Sequence, residues 1–408
     1  MRGPIAVLLV AALALAGCGT SGDDGRVQIT FFQFKQEAIA TFDAVIAEFE
    51  AKHPTIDVVQ DYVPDSGTAL RTRLVKDDVP DVITLNGDAT FGELAAAGVF
   101  HNFAGDPTAA TVNPAIQDIL DNLGTAGDGE INGLPFVSNA NGVIYNKQLF
   151  AQYGVQVPQT WNQMIAALQQ FEAAGVTPVY GTLKDAWTAL PTLNALASNL
   201  APPTTFFPEL DQQRASFRER WAPVASKLDE LFSFAQQDRL SRDYNTGNQT
   251  FAEGTVAMYL QGSFAIPAIK TFKPAFDIGT FALPATDNPQ DTRLVSGVDV
   301  AVTMGRDTAH PAESLQFINY LMSPEVIDAY AAEQSAISPL RGGTSKDPAL
   351  AGVLPYFEQG RLIGYTDHFI PPSIPLGPIT QQFLIDHDAS AYLQTLDSDW
   401  QKVAERRN

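Results

Sequence analysis

From about residue 26 onward, short runs of β-branched and aromatic residues alternate with longer stretches whose apolar residues recur at helical spacing. Residues 27–34 predict a strand. Ile39, Phe42, Val45, Ile46 and Phe49 then share one face of a helix, which Pro54 ends. A second strand is predicted at 56–63, and Leu70 and Leu74 mark a short helix behind Asp65 or Ser66 as its cap. A third strand at 81–85 leads into a helix carrying Phe91, Leu94 and Ala95 and stopped by Gly98. Apolar strands need cover on both faces, so strand–helix–strand–helix–strand predicts a parallel, doubly wound α/β sheet. The pattern resumes with strands predicted at 142–145, 176–181, 256–260, 277–283 and 294–303. Between them, Thr160 caps a helix carrying Met164, Ile165, Leu168 and Phe171. A long helix is predicted over 214–237, with Phe217, Trp221, Val224, Leu228 and Leu231 on one side, and another starts at Phe264. The C-terminal third is mostly helical.

A leader stands ahead of this body. Arg2 precedes an apolar run at 5–15, and Leu15-Ala16-Gly17-Cys18 follows. Charge, apolar segment and small residues at a cut site are the layout of a secretory signal peptide, here 1–17. The run is too short to span a hydrocarbon core as a helix. Leu-Ala-Gly-Cys is similar to a bacterial lipobox, in which the cysteine receives a diacylglycerol and becomes the new N-terminus. Cys18 is the only cysteine of the chain, and a secreted protein has little use for one unpaired thiol. An ordinary signal peptide with an incidental cysteine is the alternative. The small, polar residues after Cys18, up to residue 25, form a flexible tether.

Composition removes several function classes. The 408 residues carry a formal charge of −21. That surface repels phosphate backbones, so no nucleic-acid partner is expected. It also repels anionic headgroups, so a lipid at Cys18, not surface charge, must hold the chain to a membrane. The mature body has no cysteine for disulfides or thiolate metal sites. Its histidines are scattered, and Asp386-His387-Asp388 with His368 upstream reads as a solvated turn, because no helical histidine spacing accompanies it. No metal and no cofactor are expected. No nucleophile elbow, dinucleotide fingerprint, phosphate loop or His-Glu-x-x-His is present. The adjacent acids Asp77 and Asp78 read as surface charge near a helix end, not as a glycosidase pair. Binding, not catalysis, is the better expectation.

Four ordered sets of residues sharpen it. The first is Pro80-Asp81-Val82-Ile83, Asn86-Gly87-Asp88 and Leu94-Ala95-Ala96-Ala97-Gly98. The second is Gly133-Leu134-Pro135-Phe136, Asn139 and Tyr145-Asn146-Lys147-Gln148-Leu149-Phe150. The third is Phe251-Ala252-Glu253-Gly254-Thr255-Val256-Ala257-Met258 with Gly262-Ser263-Phe264, and the fourth is Ile337-Ser338-Pro339-Leu340-Arg341. In this order they resemble the carbohydrate-binding branch (family 1) of the extracellular solute-binding lipoproteins of bacterial ABC importers, a group that includes maltose- and oligosaccharide-binding proteins. The resemblance spans residues 26 to about 345. Phe264 stands where tryptophan is usual in that branch. Residues 374–378 resemble a loop that in maltose-binding relatives precedes a stacking tryptophan, and none follows here. The size and identity of the ligand therefore stay open.

The resemblance implies a periplasmic-binding-protein-like fold of two α/β lobes, each a doubly wound sheet, joined by crossover strands. Lobe one is expected at 26–137 plus 286–335, and lobe two at 138–285 plus 336–408. Pro135 and Pro284 end extended segments near the expected crossings. Open α/β sheets bind ligands beyond the carboxyl ends of their strands, and Asn86-Gly87-Asp88 follows such an end.

A sugar presents apolar C–H faces and a rim of hydroxyls. Rings suit the former, and a carboxylate accepts two hydroxyl donors in strong charge-assisted bonds. Asp88 is the first candidate, with Gly87 letting the backbone turn; its alternative role is to cap the next helix. Asn139 can donate and accept, or simply turn the chain. Trp187, where the branch places a stacking aromatic, is a platform or a core ring. Phe264 has the same two readings, with Gly262 and Ser263 offering backbone donors at a helix start. Ser296, Gly297 and Asp299 follow the extended Leu294-Val295; Asp299 receives hydroxyls or sits on a wet strand face. Arg341 reaches the ligand or pairs with an acid. Gln33 and Gln36 complete the set, whereas Glu37 reads as first-turn helix charge. The implied function is capture of a small carbohydrate by a monomer at the extracytoplasmic face of the membrane, and delivery to ABC permease subunits. Another polyol or a glycerophosphodiester in the same fold is the nearest alternative. A lipid-anchored glycan-active enzyme or a sensory or adhesion lipoprotein is further off.

Overall fold

The computed structural model describes residues 25–64, 66–124, 129–343 and 345–407. The leader, Cys18, the tether before Gly25 and the cap candidate Asp65 lie outside the described residues.

The first sheet starts with β1 (Val27–Gln33), passes through α1 (Ile39–Lys52) to β2 (Ile56–Tyr62), and through α2 (Ser66–Leu74) to β3 (Val82–Leu85). β1 lies between β2 and β3 and pairs with both in parallel. α3 (Ala89–Ala96) and α4 (Pro114–Asp121) then lead to β4 (Leu134–Asn141). Gly142 separates β4 from β5 (Val143–Asn146), which belongs to a second, 4-stranded sheet. α5 (Lys147–Gln152) and α6 (Trp161–Ala173) precede β6 (Thr177–Val179). Five helices follow before the next strand: α7 (Leu190–Leu200), α8 (Pro203–Asp211), α9 (Phe217–Arg220), α10 (Ala222–Ser233) and α11 (Tyr244–Ala252). Next come β7 (Val256–Tyr259), α12 (Ala265–Thr271) and β8 (Ile278–Phe281). The chain returns to the first sheet as β9 (Leu294–Met304). α13 (Pro311–Leu321), α14 (Pro324–Glu333), α15 (Leu354–Glu358), β10 (Leu362–Ile363), α16 (Leu376–Asp386) and α17 (Ala389–Arg407) complete it.

Among the described strands, parallel pairing joins β2–β1–β3, β6–β7 and, briefly, β9–β10. The strands that carry the chain between sheets pair antiparallel: β9 with β3 and β4, and β5 with β7 and β8. The purely parallel sheet expected from the alternation is thus mixed. Parallel neighbours need a helical crossover on the sheet face, and a strand arriving from the other sheet has none. The link between β8 and β9 is held by Arg361, whose Nη2 donates to the carbonyls of Pro289 at 3.0 Å, Gln290 at 3.1 Å and Thr292 at 2.6 Å.

Two differences in the helices have local causes. The long helix expected over 214–237 is broken into α9 and α10 at buried Trp221. Pro223 lacks an N–H and fits only the first turn of a new helix. α7 was not legible as an amphipathic stripe because Pro191 to Ser198 are all buried. Elsewhere the expected faces pack as read. Phe42, Ile46 and Phe49 are the buried residues of α1, and Phe31 meets Phe42 and Phe317 edge-on at centroid distances of 5.0 and 5.2 Å. Under the second sheet, Trp221, Phe206 and Phe217 form a similar group, joined by Trp400 of α17. Each such ring contributes about 1.5–3 kcal/mol by leaving water.

α4 is tied to the start of β4 by Gln117, whose Nε2 donates to Gly133 O at 3.0 Å and to Asp121 Oδ1 at 2.9 Å. Burial pushes the Asp121 carboxyl up to about 6, with Asp118 adding to the shift and the Gln117 hydrogen bond opposing it. Asp121 is also the last residue of α4, where the helix dipole disfavours negative charge. Its folded pKa lies above its unfolded one. The cost to folding is therefore full above about pH 6 and vanishes as pH falls toward 3.8. Asp121→Asn should raise stability at about pH 7.5 by about 1–2 kcal/mol, after discounting for partial exposure. Urea unfolding near pH 4 should show no advantage, because the wild-type carboxyl is then protonated.

Candidate ligand-binding site

The β4–β9 pair organises the site. β9 is buried along its whole length except at Asp299, and β4 except at Asn139. The register explains the first exception. Ser138 faces Val298 and Val137 faces Val300, so Asp299 is the extra residue of a bulge. A bulge bends its strand and re-aims the side chain it carries. Asp299 binds the Lys35 ammonium, with Nζ 2.9 Å from Oδ2 and 3.0 Å from Oδ1. Asn139 stands opposite Gly297 and accepts at Oδ1 from Gly297 N at 3.2 Å and from Tyr365 Oη at 3.0 Å. Ser296 donates its hydroxyl to Asn139 O at 2.7 Å. Gly297 has no room for a side chain, since a Cβ there would lie 2.7 Å from the Tyr365 ring. Burial, with the Asp367 and Asp299 carboxylates nearby, pushes the Tyr365 phenol well above its ordinary range, so it stays a neutral donor. His368 stacks on Tyr365 at 4.9 Å.

β3 pairs with β9 at 301–304 and β10 with 294–295, which leaves the stretch between them on that edge without a strand partner. The Asn86-Gly87-Asp88 loop docks there, through Gly87 N to Val298 O at 2.9 Å. Gly87 is required at this close approach: a Cβ would meet Val298 at 2.9 Å. Asp88 Oδ1 accepts from Thr90 N at 2.8 Å and Phe91 N at 3.3 Å, so this residue is the N-cap of α3. Asp88 also lines a cavity of about 310 Å³ together with Asn86, Asp367, His368, Leu190 and Leu376. The cavity thus lies between the carboxyl end of β3 and segments that pack against the second sheet's helices.

A group of rings occupies the second-sheet side. Trp187 is 42% exposed, and its ring lies 4.9 Å from Tyr244 and 6.3 Å from Phe264. Phe264 is the N-cap residue of α12, and a Cβ on Gly262 would run into its ring. Gly262 bridges Asn141 at the end of β4, and Ser263 exchanges bonds with Ala140: its N donates to Ala140 O at 2.7 Å and its Oγ accepts from Ala140 N at 3.0 Å. Gly262 and Ser263 therefore fasten the crossing strand to the aromatic group.

Other candidates lie apart. Gln33 is fully buried and both ends of its amide are used, by Gln60 at 2.9 Å and Lys35 N at 2.7 Å. Gln36 is exposed at the start of a 3-10 turn. Arg341 is exposed and its Nε donates to Ala110 O at 2.9 Å. His387 is a left-handed helix cap whose Nδ1 meets Asp229 at 2.6 Å. Among the described residues no group of three metal-ligating side chains comes together, and no helix is long and apolar enough to cross a membrane. Lys35, Tyr244 and Tyr365 were missed, and His368 was weighed only with Asp386-His387-Asp388. Tyr365 lies between short elements and His368 in a 3-10 turn, with no periodic pattern to flag them.

Residues 35–327 match the family of bacterial extracellular solute-binding proteins. The chain belongs to that family. Among its relatives, the multiple sugar-binding protein of Streptococcus mutans is 28% identical over 342 residues, 80% of each chain. The melibiose/raffinose/stachyose-binding protein MelE of Bacillus subtilis is 21% identical over 400 residues, 92% of this chain and 90% of its own. The apo form of RafE from Streptococcus pneumoniae is 26% identical, with a TM-score of 0.81 over 92% of this chain and 97% of that one. RafE in complex with raffinose gives a TM-score of 0.77 over 91% and 98%. The fold is that of the two-lobed, periplasmic-binding-protein-like members, and the named relatives are binding proteins.

The tight seat of Tyr365 on Gly297 can be tested. Gly297→Ala should displace the ring and break its bond to Asn139, lowering stability by about 1–3 kcal/mol in thermal or urea unfolding. Tyr365→Ala in the same background should relieve the clash, so the two changes should be less than additive.

Proposed function

We propose that this solute-binding protein captures a carbohydrate between its two sheets and delivers it to the permease subunits of an ABC importer. One juxtaposition carries the reading. A rim of planar polar groups, Asp88, Asn139 and the Lys35–Asp299 pair, lies on the first-sheet side. The Trp187–Tyr244–Phe264 group, of which Trp187 is exposed and the other two half-buried, lies on the other. The rim suits hydroxyls and the rings suit C–H faces. The sugar-binding names of the relatives support it.

The lobes follow the sheets in this reading, with β10 the one strand of the first sheet that comes from the segment expected in lobe two. The expected division, 26–137 plus 286–335 against 138–285 plus 336–408, puts one boundary inside β4 and another on the β8–β9 link. β4 stays with the first sheet to Asn141, and Ser138 and Ile337 exchange backbone bonds at 2.9 Å, so we place the first hinge at Gly142 and keep 336–341 with lobe one. The protein acts as a monomer tethered outside the cell membrane by diacylglycerol on Cys18. Mass spectrometry of the mature N-terminus tests the anchor, and a chain that begins elsewhere or carries an unmodified Cys18 removes it.

An anionic ligand such as a glycerophosphodiester is the weaker reading, because Lys35 is already paired with Asp299 and Arg341 holds Ala110 O. A thermal-shift screen of neutral sugars and polyols should find a stabilising ligand, since binding to the native state alone raises its melting temperature. Calorimetry on that ligand should then show Trp187→Ala weakening binding about tenfold with little change in the apo melting temperature. Stabilisation by phosphodiesters and by no neutral sugar would sink the carbohydrate reading.

A further inference from the structure

Beside the β8–β9 link lies a cavity of about 310 Å³ that shares no lining residue with the one beside Asp88. Tyr145 of β5 and Phe281 of β8 bring the second sheet to it, Thr292 belongs to the link, and Tyr356 of α15 and Arg361 complete it. Its charge sets it apart. The chain holds 46 acids, yet among the described residues no carboxylate lines this cavity, whereas Asp88 and Asp367 line the other. Its one charged group is Arg361. A guanidinium offers five N–H donors. Arg361 directs Nη2 at the three link carbonyls, and among the described residues Nε and Nη1 have no hydrogen-bond partner and no acid pairs with the cation. The guanidinium lies over the Tyr356 ring, 5.3 Å from its centroid. Thr292 adds a hydroxyl that is buried without a partner. Arg361 Nη2 is 2.6 Å from the carbonyl of that same residue, so cation and hydroxyl stand within reach of one small ligand. Burial pushes the Tyr145 and Tyr356 phenols above their ordinary range, in Tyr356 against the pull of Arg361, and both stay neutral O–H donors.

A cation in an acid-free cavity lined with donors favours an anion. Charge-assisted bonds are about twice as strong as neutral ones, and a buried hydroxyl without a partner costs stability that a ligand oxygen restores. We propose that this cavity is a second ligand site, separate from the cleft, for a small carboxylic acid with one flat apolar ring. The carboxylate accepts from Arg361 and Thr292. The ring lies against half-buried Tyr145 and Tyr356 and exposed Pro355. The volume stands near the lower end of the roughly 300–1,000 Å³ usual for small-molecule sites, which suits a single ring and not an oligosaccharide. The inference goes beyond sugar capture and does not depend on it. An acid bound there touches both the second sheet and the link that returns the chain to the first, so it braces the crossing that Arg361 clamps.

Calorimetric titration of the full protein with benzoate, benzamide and inorganic phosphate tests the site and its class. Benzoate should bind about tenfold more tightly than benzamide, which has the ring without the charge, and than phosphate, which has the charge without the ring. Gln359 lines the cavity from an exposed position. Gln359→Glu supplies Arg361 with an acid of the protein's own and should weaken benzoate about tenfold. Thr292→Val keeps the side-chain shape, removes the unpartnered hydroxyl, and should weaken benzoate about threefold or more without lowering the melting temperature of the free protein. Trp187→Ala, in the cleft, should leave benzoate binding unchanged. Melting curves show that each variant is folded. No binding of benzoate, equal binding of benzamide or phosphate, or an affinity untouched by both Gln359→Glu and Thr292→Val overturns the proposal. A loss of benzoate binding in Trp187→Ala alone places the acid in the cleft and overturns it as well.

Discussion

The antiparallel pairing of β4 with β9 is the interaction on which the rest of the molecule depends. Both strands are almost wholly buried, and β9 holds β4 on one edge and β3 and β10 on the other. Each is also joined directly to the second sheet, β4 through Gly142 and β9 through the link that Arg361 clamps. A displacement of either strand would move the whole second sheet. The two places where the pair exposes a side chain, Asn139 and Asp299, are where polar chemistry gathers. Burial everywhere else makes those positions rigid, and a rigid polar group loses less entropy on binding than a free one.

Electrostatics point the same way. The chain carries a formal charge of −21, yet the exposed point of β9 holds a balanced pair, Lys35 and Asp299. Such a pair presents donors and acceptors without a net charge to match. Tyr365 is kept as a phenol by its burial and by neighbouring carboxylates, and Asp88 spends one oxygen on the backbone of α3. The polar rim therefore suits a neutral, hydroxyl-rich solute better than an anion.

The aromatic group shows how function and fold share residues. Phe264 is half-buried beside Gly262, and Ser263 next to it holds the end of β4. Trp187 projects from a 3-10 turn on which the 376–377 segment leans, with Gly377 closely packed against its backbone. The segments that carry the rings also fasten the crossing strand to the second sheet.

The sequence by itself determined what depends on neighbours along the chain. Strand and helix alternation, the buried face of α1, Thr160 as a helix cap, and the turn at Gly87 all follow from spacing and local hydrogen bonding, whereas the cap at Asp88 was only the alternative to a ligand role. Asn139, Gly297 and Asp299 were legible as candidates because they follow or interrupt strands with residue types a core does not favour, and Trp187 and Phe264 through the resemblance to the carbohydrate-binding branch. Only the tertiary structure decided which of them meet. The bulge that re-aims Asp299 depends on a register with β4, and its partner Lys35 lies 264 positions away. Tyr365 reaches Asn139 across 226 positions from a segment with no periodic signal. Gln33, a plausible rim residue by position, is consumed by Gln60 on the adjacent strand. Such contacts are set by how sheets pair and pack, and pairing across hundreds of residues leaves no mark in local composition.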